Sequence, residues 1–359
     1  ALKTQNFTTA TSAYNIGIGY DAGASVTTAI YNTLIGGLAG DALTSGNNNT
    51  AVGTAALSTD TLGDRNVAIG VSALEQQNFT TSTDSYNVAV GYTAGLRVTT
   101  GVDNTLIGGL SGDAITDADF NVAVGNSSLS ANTVGSRNTA IGSSALLVMN
   151  PSTAADTYNT AAGYHAGRLV STGTYNTILG SLAADSLTTG SFNVAVGADA
   201  LGGSSVTSAE DNTCVGYAAG FDITTGDNNT LIGHDAGRTG SPGGIVSTNS
   251  NVLVLGDENI AQAFTQVSIT ISSDQRDKTD FVDLDLGLDF VKSLEPVTYY
   301  WDKRSKYGDK YADDYDLDAQ TPDGTHKEDW MDIGFKAQAV RDLEEAAGYT
   351  AAAKKNLTV

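Results

Sequence analysis

The chain has 359 residues, with 18 Lys+Arg against 40 Asp+Glu and a formal net charge of -22, which opposes long-range attraction to nucleic acid or to an anionic membrane surface. Charged residues make up only 16%, Gly numbers 41 and Pro 4; that balance disfavours a helical bundle and suits short strands joined by many turns. One cysteine, Cys214, excludes an intrachain disulfide and a Cys-rich zinc site, and no run of about 18 apolar residues suggests membrane insertion.

From residue 15 to residue 233 the chain repeats a five-residue phrase, Asn–(β-branched)–x–(apolar)–Gly. It reads NIGIG at 15, NTLIG at 32, NTAVG at 49 and NVAIG at 66, and continues to NTCVG at 212 and NTLIG at 229. Most steps between successive Asn residues are 17, with longer steps of 21 before Asn87 and Asn159, which sets a higher-order period of 72. Asn15, Asn87 and Asn159 open equivalent blocks that carry GYxAG, and Gly216 repeats that phrase after a shortened block. Residues 4–15 match 76–87, so the sequence opens inside a repeat, and we expect a fragment of a longer protein.

Positions two and four of the phrase share one strand face, and position three takes the other. Both faces are largely apolar, so the strand is expected to be covered on both sides. A thin coil of about 17 residues has a single interior. The second face therefore calls for another partner, an identical chain, and a homotrimer is the expected closure. Gly at position five allows a positive φ or a close backbone approach. Asn at position one can bond the turn and stack as a ladder from coil to coil. Ala56, Ala73, Ala94, Ser111 and Ser128, three residues beyond that Gly, read as a second short strand or turn. The fold class is mainly β: a parallel β-roll or β-helix shaft over 1–250, a β connector over 251–272, and a small α+β domain over 273–359. At about 4.8 Å per coil, thirteen coils make a rod on the order of 60 Å.

The repeat resembles the head repeats of trimeric autotransporter adhesins and, more closely, repeats of viral and bacterial fibre proteins. That resemblance covers about 240 residues and speaks to architecture.

Near residue 250 the rhythm changes. NVLVLG (251–256) and QVSITISS (266–273) read as strands. Phe281, Leu284, Leu288, Val291 and Leu294 share one helical face, with Asp280 or Asp283 as cap and Pro296 as stop. Val297–Trp301 follows as a strand, 302–329 as an exposed loop rich in Asp, Lys and Tyr, and IGFKAQAV (333–340) as a strand passing into a helix over Gln338–Ala347. SDQRDK, then KSLEPVTYYW, then IGFKAQAV resembles the C-terminal intramolecular chaperone of phage tailspikes and tail fibres, the endosialidase-type auto-processing domain. That family generally continues into a long trimeric helical segment, which we expect to be absent or short here.

The resemblance implies self-cleavage just before Ser273, with Ser273 as nucleophile and Lys278 as general base. A serine hydroxyl attacks only once a base removes its proton, and a lysine serves only if burial or nearby positive charge lowers its pKa. Arg276 could supply such charge, whereas Asp274 and Asp277 oppose it. On spacing alone SDQRDK reads as an ordinary solvated turn, and only the surrounding motifs raise self-processing above it. At most a single-turnover Ser–Lys endopeptidase is expected, with no turnover enzyme, no metal and no cofactor.

Asp314, Asp316 and Asp318 alternate near Asp323 and Gly324, but a calcium loop needs a Gly after the third acid and a Glu at position 12, so a solvated acidic loop is expected. Cys214 reads as a small buried residue, and His165 and His234 as surface positions. Tyr20, Tyr92, Tyr164 and Tyr217 form an aromatic stripe that suits packing between protomers better than glycan binding. The expected function is a structural fibre of a bacteriophage tail, located on the virion and acting in host attachment. Its expected partners are two further copies, other tail proteins and a glycan or protein receptor on the host cell, but no nucleic acid. A bacterial trimeric surface adhesin, extracellular, is the alternative; a polysaccharide depolymerase would need paired acids that the repeats lack.

Overall fold

The computed structural model describes residues 1–203, 206–260 and 288–302, then 307, 319, 321–327, 329 and 331–346. Two compact units divide the chain, Ala1–Ile260 and Ala261–Val359.

The first unit is a β-solenoid. Fourteen three-residue strands, from Ile16–Ile18 to Leu253–Leu255, stack into one parallel sheet in chain order. Pairing keeps strict register, as in Thr33↔Thr50 and Leu34↔Ala51, so each repeat is one coil. Position three points inward: Leu34, Ala51, Ala68, Leu106, Ile178 and Cys214 are fully buried. Positions two and four point outward. Of the short strand or turn expected after the Gly, the structure has the turn, which buries Ala56, Ala73 and Ser111. NVLVLG joins the same sheet through Leu253–Leu255, beside Thr230–Ile232.

The Asn of each phrase holds neighbouring coils together. Asn15 Oδ1 accepts the Asn32 N–H at 2.8 Å, and Asn32 Oδ1 accepts that of Asn49 at 2.9 Å. Asn32 Nδ2 donates to the Gly46 carbonyl at 2.9 Å. Buried at nearly every coil, these amides satisfy backbone groups at a corner that no strand partner reaches. The Gly at position five is required by sterics. At Gly108 φ is +132°, and a Cβ there would stand 2.5 Å from the carbonyl oxygen of Gly125 on the next coil.

Inside the coil, size alternates. Where position three is Leu34 or Leu106, the residue six further on is Gly40 or Gly112, whose added Cβ would strike that same leucine. Where position three is Ala51 or Ala68, that later residue is Leu57 or Leu74, fully buried. The longer steps into Asn87 and Asn159 form small two-stranded parallel sheets, Gly63–Asp64 with Thr83–Asp84 and Gly135–Ser136 with Ala155–Asp156.

In the second unit, helix α1 (Leu288–Ser293) leads to strand Pro296–Tyr299, which pairs antiparallel with Asp332–Phe335. Helix α2 follows as Ala337–Ala346. The strand–helix order expected from KSLEPVTYYW and IGFKAQAV is present. The caps Asp280 and Asp283, the first turns expected from Phe281, and QVSITISS before Ser273 lie outside the described residues.

Candidate functional site

The most extensive surface feature of the shaft is the outer face of its sheet. Position two contributes Thr or Val, half-buried, and the exposed Ile16; position four contributes Ile, Val or Leu and once Ala162, and of these Ile18 is 59% and Ile141 45% exposed. The strip continues through fourteen strands. At about 4.8 Å per strand and roughly 20 Å across the strand and its two flanks, its geometric footprint is on the order of 1,200 Å², threonines and flanking polar residues included. Isolated soluble chains rarely present a contiguous apolar patch beyond a few hundred Å².

Two columns bracket this strip. The residue before each Asn adopts a left-handed conformation, with φ of 61° at Tyr31, 63° at Arg137 and 60° at Phe192. Aromatic rings in this column stack from coil to coil. Tyr158–Tyr175 and Tyr175–Phe192 have centroids 5.1 Å apart and near-parallel planes, and Tyr14–Tyr31 stack at 5.6 Å. Arg137 lies 4.7 Å from the Phe120 ring and forms an ion pair with Asp156 at 2.9 Å; this surface pair contributes little energy but orients the guanidinium. The sequence carries a signal for this ladder, an aromatic or Arg residue immediately before most of the repeat Asn residues. The second column follows the Gly and holds the expected tyrosines Tyr20, Tyr92, Tyr164 and Tyr217, all exposed.

Cys214 is buried, and desolvation pushes its thiol up to about 12, so it stays protonated and inert at neutral pH. His165 is half-buried and stacks on Tyr164. The exposed His234 stacks on Tyr217 and approaches Asp257 at 3.4 Å; hydrogen bonds from Asn259 first, and then the bond with His234, hold the Asp257 carboxyl below the usual carboxylate range. Among the described residues no group of three His, Cys, Asp or Glu side chains could hold a metal, and no helix is long and apolar enough to cross a membrane.

In the second unit the ordered polar cluster centres on Asp302. Its carboxylate accepts the Tyr307 hydroxyl at 2.8 and 2.9 Å and the Gly324 N–H at 2.7 Å. Neighbouring surfaces are apolar: Val291, Ile333 and Phe335 are all more than half exposed. A groove of about 330 Å³ runs between Leu294, Phe335, Ala339, Val340 and Leu343. Ser273, Lys278, Arg276 and the alternating Asp314, Asp316 and Asp318 lie outside the described residues.

Residues 273–349 match the family model for the chaperone of endosialidase. The match spans the three motifs that carried the resemblance, from SDQRDK through IGFKAQAV. No curated protein and no solved structure matches the chain. The chain thus combines a β-solenoid with a segment that matches the chaperone-of-endosialidase family model.

Proposed function

We propose that this chain is a structural fibre protein of a bacteriophage tail that acts in host attachment as a homotrimer. The carrying observation is the juxtaposition in one chain of a fourteen-stranded rod with an exposed apolar face and a chaperone-of-endosialidase segment. The physical motive for that pairing is register. Coils that repeat every 17 residues present nearly the same edge to a partner after a one-coil slip, so independent chains have many near-equal alignments. A trimerising segment at one end fixes the alignment before winding starts. The receptor on the host surface, glycan or protein, and the other tail partners complete this reading.

In this reading the chaperone cleaves itself off just before Ser273, with Ser273 as nucleophile and Lys278 as general base. The Ser273 hydroxyl adds to the carbonyl of Ser272 and its proton passes to Lys278. The Ser273 peptide nitrogen takes that proton from Lys278 as it leaves by acyl shift to the hydroxyl, and water hydrolyses the ester to a Ser272 carboxylate and the free Ser273 hydroxyl. Loss of the folding aid makes assembly kinetically one-way.

Two measurements on the full chain test this. Sedimentation should give a trimer, and a stable monomer would refute the assembly. Intact mass of the wild type should show two fragments divided before residue 273, with Ser273→Ala and Lys278→Ala each leaving one full-length species. A single full-length species for the wild type would remove the processing step and leave a retained chaperone.

A further inference from the structure

The two flanking columns share each coil but lie six residues apart across an extended strand. The three strand residues between them, such as Thr33–Ile35, alone span roughly 10 Å at about 3.3 Å per residue, beyond the Cβ separation of a disulfide. In several coils a large residue in one column shares its coil with a small one in the other. Tyr31 shares its coil with Gly37, Tyr175 with Ser181 and Phe192 with Ala198; at Asp211 and Tyr217 the order is reversed, short side chain first. The three blocks open with tyrosine in both columns, as at Tyr86 and Tyr92, and the next coil supplies Gly37, Gly109 or Ser181 in the second column.

Gly37 has no explanation inside its own chain. A Cβ there would meet nothing within 4 Å, and its φ is not positive. At Gly109 the nearest atom would be the Asn126 amide at 3.4 Å, an ordinary contact. Small residues beside exposed aromatic rings, with open space where a side chain would fit, are what an occupant from outside the chain requires.

We infer that in the assembled fibre the column before the Asn of one copy lies against the column after the Gly of the next copy, coil for coil, around an axis that the outer faces of the sheets look onto. The inference rests on the trimer reading and specifies which surfaces meet. In a trimer each copy shares its footprint of about 1,200 Å² between two neighbours, roughly 600 Å² toward each, at the lower end of specific interfaces. A sugar chain along the ladder is disfavoured, because rings stacked at 5.1 Å cover each other's faces and present only their edges to solvent.

Paired cysteines in the full chain test it. Tyr31→Cys with Gly37→Cys, and separately Phe192→Cys with Ala198→Cys, place thiols that can bridge only between copies, since a disulfide needs Cβ atoms about 4 Å apart. Both are surface positions, and Gly37 has room for a side chain, so folding should be preserved. Mild oxidation and non-reducing electrophoresis should convert both double variants to covalent trimers. Neither single variant, nor wild type with Cys214 alone, should link. Tyr31→Cys with Thr54→Cys, one coil out of step, should link at least tenfold less.

Three results would overturn the inference: linkage of Tyr31→Cys alone, which puts like columns face to face; preference for the out-of-step pair; or no linkage in either double variant while sedimentation shows a trimer. In the last case the trimer survives and only this face is wrong. A monomer in sedimentation removes both.

Discussion

The two long coils occupy the same place in successive blocks and fill it with different chemistry. In the first, Asp60 is buried and accepts hydrogen bonds from Gln77 Nε2 at 2.7 Å and the Gly63 N–H at 3.0 Å, with a weaker approach by the Phe79 N–H at 3.4 Å. Gln77 in turn accepts from Asn87 Nδ2 at 2.9 Å. In the second, the corresponding residues are Asn132, Met149 and Pro151. Asn132 exchanges bonds with Gly135 alone, at 2.9 and 2.7 Å, and Asn159 Nδ2 reaches only the Met149 sulfur, at 3.8 Å, beside its bond to Gly173. Three positions have changed together: the acid loses its charge, its long-chain donor becomes apolar, and the third backbone N–H is removed by proline. The backbone demands of the coil and the chemistry of its interior are therefore separable.

Separability is most severely challenged where the two coils are the same. Gly70 and Gly142 sit at position five with φ of +134° and +129°, and a Cβ on either would collide with the carbonyl of Gly91 or Gly163. Backbone on both sides of the contact leaves nothing flexible to yield. Gly70→Ala and Gly142→Ala should each cost about 3 kcal/mol or more, by equal amounts, in the midpoint of urea unfolding. Unequal losses would show that interior chemistry changes what the backbone must do.

Where the coils differ, the effect should be one-sided. Gln77→Met removes the donor to a buried carboxylate and should cost about 1–3 kcal/mol at neutral pH, read by the same unfolding curves. Asn87 keeps its bond to the Gly101 carbonyl at 2.7 Å, so the loss falls on Asp60. No effect at pH 7 would mean that the network of the first coil is ornamental.

These particulars also show what the sequence could reveal. Coil length, strand positions, the Asn ladder and the position-five glycines were legible because each is demanded by the same backbone contact in every coil. The interior direction of position three was not, because Ala, Thr and Val are apolar enough for either face; only the pairing of Leu34 with Gly40 and Ala51 with Leu57 within one coil discloses it. The buried role of Asp60 was hidden for the same reason, since an Asp in a Thr-rich turn reads as solvated. The aromatic ladder escaped because stacking joins residues 17 apart, beyond any local pattern. The proposed Ser273–Lys278 pair rests on motif resemblance alone.

The smallest expected effect is the sharpest test of the comparison. Asp60→Asn combined with Gln77→Met installs the residues of the second coil in the first. The new amide can donate to the Gly63 carbonyl and accept its N–H, as Asn132 does with Gly135, and the Phe79 N–H keeps its weak acceptor. Stability at pH 7 should return to within about 1 kcal/mol of wild type, because exchanging both partners of a buried polar pair leaves nothing unsatisfied. The pH dependence should change more clearly than the magnitude. Burial raises the Asp60 carboxyl above its ordinary range, against the opposing hydrogen bonds of Gln77, Gly63 and Phe79. The folded chain thus binds a proton that the unfolded chain has already released, and wild-type stability falls as pH rises from the ordinary carboxylate value through the raised one. Asp41 and Asp119, also raised by burial, add slope of the same sign and are untouched by the double variant. The informative quantity is therefore the difference between variant and wild type across that window. It should grow in favour of the variant as pH rises and then level off; a flat difference would place the Asp60 charge outside the energetics of the shaft.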